Sequence, residues 1–563
     1  MRLFARFCAV LAAALLFAAP PVLAKPAARP QPTLTAGAVA SPDRYGALAA
    51  EQILQAGGNA VDAAVATAFA LAVTYPEAGN LGGGGFMTLL VDGKPYFLDY
   101  RETAPAAARA EMFLGPDGEP VAELSQYGNL AVGTPGTVRG MAMAHQRFGK
   151  LPWARVLAPA IGYARDGFLV TPQLIGILDG SRGPLAPTNF EAHFGGLKAG
   201  AVFRQPALAD TLTRIARDGD RAFYEGQTAD LIVAQMGRGP VKGLITRADL
   251  AAYRAVWREP LQANWRGYRV ITAPPPSSGG IALMQLLLMK QQAARLFEGV
   301  PLNSPRYMHL VAEIEKRVFA DRAEYLGDPD FVKVPVEALI APAYLAGRAG
   351  QIDPDKPSPT PSVQPGLERP QTTHFSIVDK WGNAVSNTYT INGWFGSGVV
   401  VEGAGFLLNN EMDDFSAKPG VPNMFGVVGG SANAIAPGKR PLSSMTPTIL
   451  TQDGQVAMVI GTPGGSRIFT SVFQVLANVY DHGLSLAEAQ KQQRFHHQLL
   501  PKDTITFEPY APASAELRRG LEAMGYVLVA QDYNGDIEAI QVLNGTPVPV
   551  ADPRARGEAR VVK

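Results

Sequence analysis

The chain has 563 residues, of which 47% are hydrophobic and 18% are charged, a composition that excludes an intrinsically disordered protein. Lysine and arginine (50) balance aspartate and glutamate (49), so no excess of basic charge points to a nucleic-acid partner. The length exceeds what one hydrophobic core usually holds and predicts two domains or one large, elaborated domain.

The first 24 residues have the pattern of an export signal. A basic start with Arg2 and Arg6 precedes the apolar run 7–19, and cleavage is predicted after Ala24. The run is too short to span a bilayer comfortably, so a removable signal is a better interpretation than a membrane anchor. The only cysteine, Cys8, lies within this signal, so the mature chain would have neither disulfides nor thiol catalysis. We predict export to the periplasm, with the medium as the alternative.

Two helices and a glycine-rich strand entry are predicted next. The helices run from about Tyr45 to Ala56 and from Asn59 to Val73, and the second is apolar on nearly all sides, which indicates burial in a large core. The glycine run 79–85 leads into a predicted strand, Phe86–Val91, and Asp92-Gly93 favours a hairpin turn. Because no Lys-Ser/Thr pair follows the glycines, they predict close backbone packing and not a phosphate loop.

The middle of the chain, up to about residue 350, is predicted to be mostly helical. Ile281–Leu296 is one candidate helix and Ser304–Tyr325 is another, with Ser304 as its N-cap and Pro305 at its first position. Residues 351–371 differ, because they hold six prolines and few large apolar residues. They predict an extended, exposed segment and form the strongest break in composition along the chain.

Strands are predicted directly after this break. Thr373–Val378 and Ala384–Ile391 are rich in β-forming residues and are joined by the turn-forming residues 379–383. The remaining predicted strands are 447–451, 455–461, 503–507, 526–530 and 537–543, and the remaining predicted helices are 466–480, 485–491 and 513–524.

Two short motifs in this part invite a functional interpretation. Gly464-Gly465-Ser466 lies between a predicted strand and an apolar helix, where exposed N–H groups could hold an oxyanion, but a tight turn needing positive φ explains it equally well. His496 and His497 are adjacent, so on a helix they would point in different directions, and no third ligand is placed by spacing. We therefore predict no metal site, and neither motif indicates an organic cofactor.

The threonines at the start of the strand region also allow two interpretations. In composition, the stretch from Gln371-Thr372-Thr373 to Thr390 is ordinary β-strand sequence. A threonine at such a junction could instead become a new N-terminus after cleavage of the chain. Its α-amino group, with a pKa of about 8, would then act as general base for its own hydroxyl. Spacing alone does not justify this second interpretation.

Many motifs in order along the chain resemble the γ-glutamyltransferase family. Thr372–Asp379, with 382–385, resembles the start of the mature small subunit in that family. The resemblance runs from about residue 35 to the end of the chain. The other motifs that carry it are 57–63, 82–87, 99–102, 133–136, 275–280, 407–415, 441–445 and 463–467.

This resemblance implies an α+β fold of the N-terminal-nucleophile hydrolase type, a four-layer αββα sandwich with two central sheets. It also implies self-cleavage of the Gln371–Thr372 bond. Behind the export signal at 1–24, the products would be a large subunit, 25–371, and a small subunit, 372–563, which stay associated as a heterodimer within one αββα unit.

The resemblance further implies the roles of individual residues. Thr372 would be the nucleophile and Thr390 its hydrogen-bonding partner, while the N–H groups of Gly464 and Gly465 would hold the oxyanion. Pro419–Gly430 resembles a loop that covers the pocket in some members, with Phe425 as its aromatic gate.

A γ-glutamyl substrate ends in an α-amino acid, so its site needs groups for a carboxylate and for an ammonium. The residues that the resemblance implies for the carboxylate are Arg101, Ser443 and Ser444, and those for the ammonium are Asn392, Glu411 and Asp414.

The implied activity is acyl transfer in two steps, from glutathione or related γ-glutamyl compounds to Thr372 and then to water or an amino acid or peptide acceptor. One alternative of the same fold is a glutaryl-cephalosporin acylase, but its substrate lacks the α-amino group and would leave Asp414 unpaired. The other alternative is an exported, non-catalytic binding protein, which predicts a single uncut chain.

Overall fold

The structure, a computed structural model, describes residues 33–360, 372–531 and 535–563. The export signal predicted at 1–24 and the cleavage-site residue Gln371 lie outside these ranges. The strands in the described residues are β1 (Gly37–Ser41), β2 (Gly84–Val91), β3 (Lys94–Asp99), β4 (Phe168–Leu169), β5 (Val202–Phe203), β6 (Val256–Arg258), β7 (Leu261–Trp265), β8 (Tyr268–Thr272), β9 (Thr373–Val378), β10 (Ala384–Thr390), β11 (Thr448–Gln452), β12 (Gln455–Gly461), β13 (Phe495–His497), β14 (Thr504–Phe507), β15 (Val527–Ala530), β16 (Glu538–Leu543), β17 (Thr546–Val550) and β18 (Glu558–Val562).

The helices cluster before residue 350 and again after residue 467. They are α1 (Arg44–Gln55), α2 (Ala60–Thr74), α3 (Ala122–Gln126), α4 (Thr137–Phe148), α5 (Trp153–Asp166), α6 (Pro172–Leu185), α7 (Phe190–Phe194), α8 (Pro206–Asp218), α9 (Arg221–Tyr224), α10 (Gly226–Met236), α11 (Arg247–Ala252), α12 (Gly279–Gln292), α13 (Ala294–Phe297), α14 (Pro305–Tyr325), α15 (Val336–Leu339), α16 (Pro342–Ala349), α17 (Ile468–Tyr480), α18 (Leu486–Lys491) and α19 (Ala515–Ala523). Within the described ranges, none of them is both long and apolar enough to cross a membrane.

Two antiparallel sheets form the centre of the fold. The first has the strand order β18-β1-β9-β10-β2-β3-β6, and the second has the order β17-β16-β12-β11-β8-β7. Both sheets draw strands from before and after residue 372. In the first sheet, β9 and β10 lie between β1 and β2, so the chain on the two sides of the predicted cleavage point is interleaved by backbone hydrogen bonds.

Apolar side chains fill the space between the sheets, and helices cover their outer faces. Ile377 and Val385 of the first sheet pack in one core with α2, whose residues are all buried. Met458 and Ile460 of the second sheet pack with α12, α14 and α17. The residues buried between the sheets are Leu34, Ala38, Ala40, Leu90, Ile271, Val378, Ala384, Ile449, Val456, Val459 and Ile540. This arrangement is the αββα sandwich that was expected, and α2 is the predicted core helix.

The glycine run packs as the sequence predicts. A Cβ added to Gly82 would lie 2.2 Å from the carbonyl oxygen of Leu407, and one added to Gly83 would lie 2.0 Å from that of Thr390. Both distances are far inside van der Waals contact, so only glycine allows β2 to enter the sheet here. Asp92 and Gly93 then have positive φ, as the predicted hairpin requires.

The structure corrects two expectations about secondary structure. Residues 256–272 form β6, β7 and β8 within the part of the chain predicted to be mostly helical; the β7–β8 turn uses Arg266 and Gly267, both with positive φ. His496 and His497 lie in β13 and not on a helix. The strands β1, β17 and β18 were also missed, because strands of five residues give little periodicity. The other predicted strands and helices agree with the structure to within a few residues.

The proline-rich segment is described only as far as residue 360. In residues 351–360 the chain forms neither helix nor strand, and most of these residues are exposed or half-buried. Several of these residues are nevertheless held by α14: the N–H of Ser358 donates to Glu313 at 3.0 Å, and the carbonyl of Gln351 accepts from Arg317 at 2.8 Å. Residues 351–360 are thus largely exposed, as expected, apart from the buried Ile352, but they include turns and bends and are not fully extended.

Candidate active site

Thr372 lies at the entrance to β9, beside Thr390 at the end of β10. The register pairs Thr373 with Tyr389, and continuing it by one residue places Thr372 opposite Thr390. Both side chains are buried and line one small cavity. The residues that line this cavity are Arg101, Arg322, Thr372, Thr390, Asn392, Glu411, Asp414, Asn423, Phe425, Val427, Ser443, Ser444, Met445, Gly465, Ser466 and Ile468.

The hydroxyl of Thr390 is held by the backbone that follows it. Its Oγ1 accepts the N–H of Asn392 at 2.8 Å. Asn392 has a φ of 71°, a left-handed conformation that asparagine tolerates better than most residues. Its own proton is donated to the carbonyl oxygen of Asn392 at 3.5 Å, a long and weak hydrogen bond that a nearer acceptor can replace. The local turn therefore presents Thr390 as a hydrogen-bond donor beside Thr372.

The glycine pair after β12 contributes Gly465 to the cavity wall. Gly464 has a φ of 140° and Gly465 a φ of 58°, so both adopt conformations that favour glycine, and a short 3₁₀ turn then leads into α17. Gly465 lines the cavity, whereas Gly464 lies directly before it at the start of the turn. The two interpretations of this motif are thus compatible: it is a positive-φ turn, and it also brings N–H groups at a helix start close to Thr372.

Arg101 forms the charged end of the cavity. Its guanidinium pairs with the carboxylates of both Glu411 and Asp414. It also donates to two backbone carbonyls, that of Pro441 at 3.2 Å and that of Leu442 at 3.3 Å. Burial alone would lower the pKa of Arg101, but the two carboxylates raise it above its usual range. The arginine is therefore permanently charged and fixed in position.

Three carboxyl groups surround this arginine, and burial raises the pKa of each. Burial raises the pKa of Glu102 to about 8. The guanidinium of Arg101, 3.8 Å from the carboxylate of Glu102, opposes this rise. The pKa values of Glu411 and Asp414 are also raised by burial against the opposing charge of Arg101. Such a cluster suits a zwitterionic ligand, because the carboxylate of the ligand can pair with the guanidinium while its ammonium pairs with the acids.

The two serines directly follow Pro441 and Leu442, whose carbonyls accept from Arg101. Ser443 Oγ accepts the N–H of Met445 at 3.1 Å, and Ser444 Oγ accepts a guanidinium N–H of Arg322 at 3.2 Å. Each hydroxyl therefore keeps its proton for another partner. Isolated β-bridge pairing between Ser277 and Ser443 ties this segment to the loop before α12.

The predicted covering loop closes over the cavity. Residues 419–430 form a small hairpin in which Pro422 pairs with Val428, and the ring of Phe425 packs on Gly465. Asn423 donates to Asp414 at 3.2 Å, and Met424 donates its N–H to Asp413 at 2.9 Å. The loop leaves about 20 Å³ for the centres of water-sized molecules in the cavity, roughly one water.

A larger groove of about 1730 Å³ lies on the outer side of this loop. Asn423 lines both the groove and the small cavity, and Asn410 and Asp413 line the groove. The groove contains neither threonine of the candidate pair. The predicted catalytic threonines therefore lie in the small cavity, although the groove is the larger of the two.

The structure brings the sequence-predicted site residues together, apart from Gly464 at the edge and Gln371 outside the described residues. Sequence reasoning missed Arg322 and Asn423, which also line the cavity. Arg322 lies in α14, where buried charged residues occur throughout the helix, so its pattern gives no signal. Asn423 lies in the predicted loop and was not distinguished from its neighbours.

The adjacent histidines take part in hydrogen bonds of the core. His496 contacts Thr470 and Gln498, and His497 contacts the carbonyl of Thr504. Burial lowers the pKa of both rings, so both are neutral at ordinary pH. Among the described residues, no group of three or more potential ligands is placed to hold a metal ion.

The chain is similar to known proteins over most of its length. The model of the family described as Gamma-glutamyltranspeptidase matches residues 46–562. The "Glutathione hydrolase proenzyme" of Pseudomonas aeruginosa is 62% identical over 539 residues, covering 94% of this chain and 95% of that relative. A crystal structure of cephalosporin acylase from Bacillus halodurans superposes with a TM-score of 0.79 at 28% identity, covering 96% of this chain and 98% of that one. A γ-glutamyltranspeptidase from Pseudomonas nitroreducens, complexed with L-DON, is 59% identical with a TM-score of 0.57, covering 58% of this chain and 97% of that one.

Proposed function

Because the chain belongs to the γ-glutamyltranspeptidase family, we propose that it cuts itself before Thr372 and then transfers γ-glutamyl groups through that residue. The protein is an enzyme, a glutathione hydrolase and γ-glutamyltransferase made as a proenzyme. The observation that supports the residue assignment is the single cavity shared by Thr372, Thr390 and Gly465 with the charged cluster around Arg101.

In the first step, the hydroxyl of Thr372 attacks the γ-carbonyl carbon of the donor. The α-amino group freed by cleavage takes the hydroxyl proton and passes it to the leaving amine. Thr390 holds the nucleophile's oxygen by a hydrogen bond. The developing oxyanion faces the N–H groups of Gly464 and Gly465, whose positive-φ turn fixes their direction before the reaction begins.

When the donor binds, its charged groups replace the ion pairs that Arg101 forms with Glu411 and Asp414. The α-carboxylate of the γ-glutamyl group binds Arg101 and the hydroxyls of Ser443 and Ser444. Its ammonium binds Glu411, Asp414 and the side-chain oxygen of Asn392. The cavity is lined by Arg101 and Arg322 together with Glu411 and Asp414, so groups that suit a carboxylate and groups that suit an ammonium share one small space.

The second step releases the γ-glutamyl ester of Thr372. Water gives hydrolysis, and the amino group of an amino acid or peptide gives transfer, with Thr372 regained in both cases. The covering loop around Phe425 must move for each substrate to enter, because the closed cavity has room for only about one water. Loop closure then shields the ester from bulk water.

A glutaryl-cephalosporin acylase remains the second candidate, because an acylase of Bacillus halodurans shares the fold over 96% of this chain. A glutaryl side chain has no ammonium, but Asp414 would not be left unpaired as expected, because it pairs with Arg101. The substrate's carboxylate would instead compete with Glu411 and Asp414 for that arginine. That competition disfavours glutaryl donors.

We also propose export to the periplasm, after removal of 1–24, and a heterodimer of subunits 25–371 and 372–563. The interleaving of β1, β2, β9 and β10 supports the heterodimer, since separating the subunits would break strand pairings in the first sheet. The cavity gives no reason to expect nucleic acid as a partner.

The test is to compare kcat/KM for γ-glutamyl-p-nitroanilide and glutaryl-p-nitroanilide with the purified, mature protein. We expect faster turnover of the γ-glutamyl compound and release of free glutamate. Preference for the glutaryl compound would reject the proposal in favour of the acylase, and an intact chain without activity would favour the non-catalytic alternative.

A further inference from the structure

Arg322 is a second arginine in the wall of the cavity, and it comes from α14. It is 7% exposed and lines the same cavity as Thr372. Its Nη2 donates to Ser444 Oγ at 3.2 Å, and its Nε donates to Ser278 Oγ at 3.0 Å. A planar guanidinium thus joins two hydroxyls that belong to separate segments of the chain.

The contact with Ser278 extends to Ser443. Ser278 donates both its N–H and its Oγ–H to the carbonyl oxygen of Ser443, each at 2.7 Å. Because the proton of Ser278 is committed to that carbonyl, its oxygen is left to accept from Arg322. Arg322 therefore supports the backbone of Ser443 and the side chain of Ser444 at the same time.

These contacts determine whether the hydroxyls of Ser443 and Ser444 are available to donate or to accept a hydrogen bond. Ser444 Oγ accepts from Arg322, and Ser443 Oγ accepts from the N–H of Met445. A hydroxyl whose oxygen accepts a protein N–H is best placed to donate its proton, and hydroxyl donors suit a carboxylate. The positive charge of Arg322 also acts across the cavity, because together with Arg101 it opposes the rise that burial causes in the pKa of Asp414.

We propose that Arg322 is a positioning residue of the donor site, which directs the hydroxyls of Ser443 and Ser444 towards the α-carboxylate of the γ-glutamyl group. This inference rests on the proposed function. It adds a determinant of donor specificity, because Arg322 of the large subunit positions two serines of the small subunit. The group recognised is a carboxylate on the carbon that bears the amino group.

The test uses Arg322→Lys, which keeps the charge but cannot bridge Ser278 and Ser444 with a planar fork. With γ-glutamyl-p-nitroanilide we expect KM to rise about 10- to 100-fold, the effect of weakening hydrogen bonds to a charged group, while kcat changes little. With 4-aminobutyryl-p-nitroanilide, which lacks only the α-carboxylate, kcat/KM of the variant should nearly equal that of the unaltered enzyme. Arg317→Lys is the matched control, since Arg317 lies in the same helix, is 6% exposed and does not line the cavity.

A second variant keeps the inference falsifiable if Arg322→Lys folds poorly. Ser278→Ala removes the hydroxyl through which Arg322 supports Ser443, so it should raise KM for the γ-glutamyl donor and leave kcat/KM for the 4-aminobutyryl donor nearly unchanged. If Arg322→Lys folds, adding it to Ser444→Ala should cost less than Arg322→Lys alone. Equal losses on the two donors, or a fall in kcat at constant KM, would show that Arg322 is only structural and would overturn the inference. If the unaltered protein does not hydrolyse γ-glutamyl-p-nitroanilide at all, the proposed function itself fails, and that outcome is seen before any variant is made.

Discussion

Arg101 and Asp414 form a buried ion pair inside the cavity that also contains Thr372. The guanidinium is 1% exposed and the carboxylate side chain 11% exposed. Burying both charges costs desolvation free energy, which is recovered only when the pair or a ligand satisfies them. A ligand with a carboxylate and an ammonium on one carbon can therefore pair with both residues at once: its carboxylate with Arg101 and its ammonium with Asp414.

The first prediction concerns Asp414. Asp414→Asn should lower kcat/KM for γ-glutamyl-p-nitroanilide by about 100-fold, because the substrate ammonium loses a charged hydrogen-bond acceptor. The glutaryl analogue has no ammonium, so its kcat/KM should stay constant or rise. Asp328→Asn is the control, since Asp328 is buried but does not line the cavity. Equal losses on both donors would contradict the assignment of Asp414 to the ammonium.

The second prediction concerns chain cleavage. Thr372→Ala should leave one uncut chain, because the attacking hydroxyl is gone, and activity should fall by about 1000-fold or more. Mass spectrometry should find fragments 25–371 and 372–563 in the unaltered protein only. Thr373→Ala is the control, since Thr373 Oγ1 is buried with no hydrogen-bond partner among the described residues. Normal cleavage of Thr372→Ala would remove the proposed nucleophile.

The third prediction concerns the glycine turn. A Cβ on Gly465 would lie 2.8 Å from Phe425 Cδ1, and the residue has a φ of 58°. Gly465→Ala should therefore displace the turn and lower kcat by about 100- to 1000-fold, the usual cost of a lost oxyanion donor, with a smaller effect on KM.

Two further variants separate the causes of that loss. Gly454→Ala has a similar backbone strain, with a φ of 81°, but open space around the added Cβ, so it should retain activity. Gly465→Ala combined with Phe425→Ala should recover the steric part of the loss. An active Gly465→Ala enzyme with unchanged kcat would argue against the oxyanion role.

The fourth prediction concerns the pH dependence of stability. Burial raises the pKa of Asp413 from 3.8 to about 6, although Ser125 and the N–H of Met424 oppose the rise. Between these values the folded state binds more protons than the unfolded state, so the free energy of unfolding falls as pH rises from about 4 to 6, by about 3 kcal/mol at most. Asp413→Asn should flatten this part of the profile relative to the unaltered protein. Chemical denaturation at pH 4, 5, 6 and 7 measures it, and two parallel profiles would show that Asp413 does not contribute.

The sequence by itself determined the local structure around the site. The buried helix α2, the hairpin at Asp92-Gly93, the capped helix α14 and the strands β9 and β10 all follow from periodicity, turn residues and caps, which act within a few residues. The ordered motifs identified the family and, through it, the candidate residues. Neither the local patterns nor the family motifs revealed Arg322, because its role depends on its contacts with Ser278 and Ser444, which are distant in the chain.

Only the tertiary structure decided which groups meet. Arg101, Asn392, Asp414 and Ser444 are separated by up to several hundred residues in the chain, and they meet because β9 and β10 pair between β1 and β2 while the second sheet packs behind them. The direction of each hydrogen bond was also decided there: Thr390 accepts from Asn392, and Ser444 accepts from Arg322. Sequence patterns report short-range conformational preferences, whereas such contacts depend on long-range packing, which no local pattern encodes.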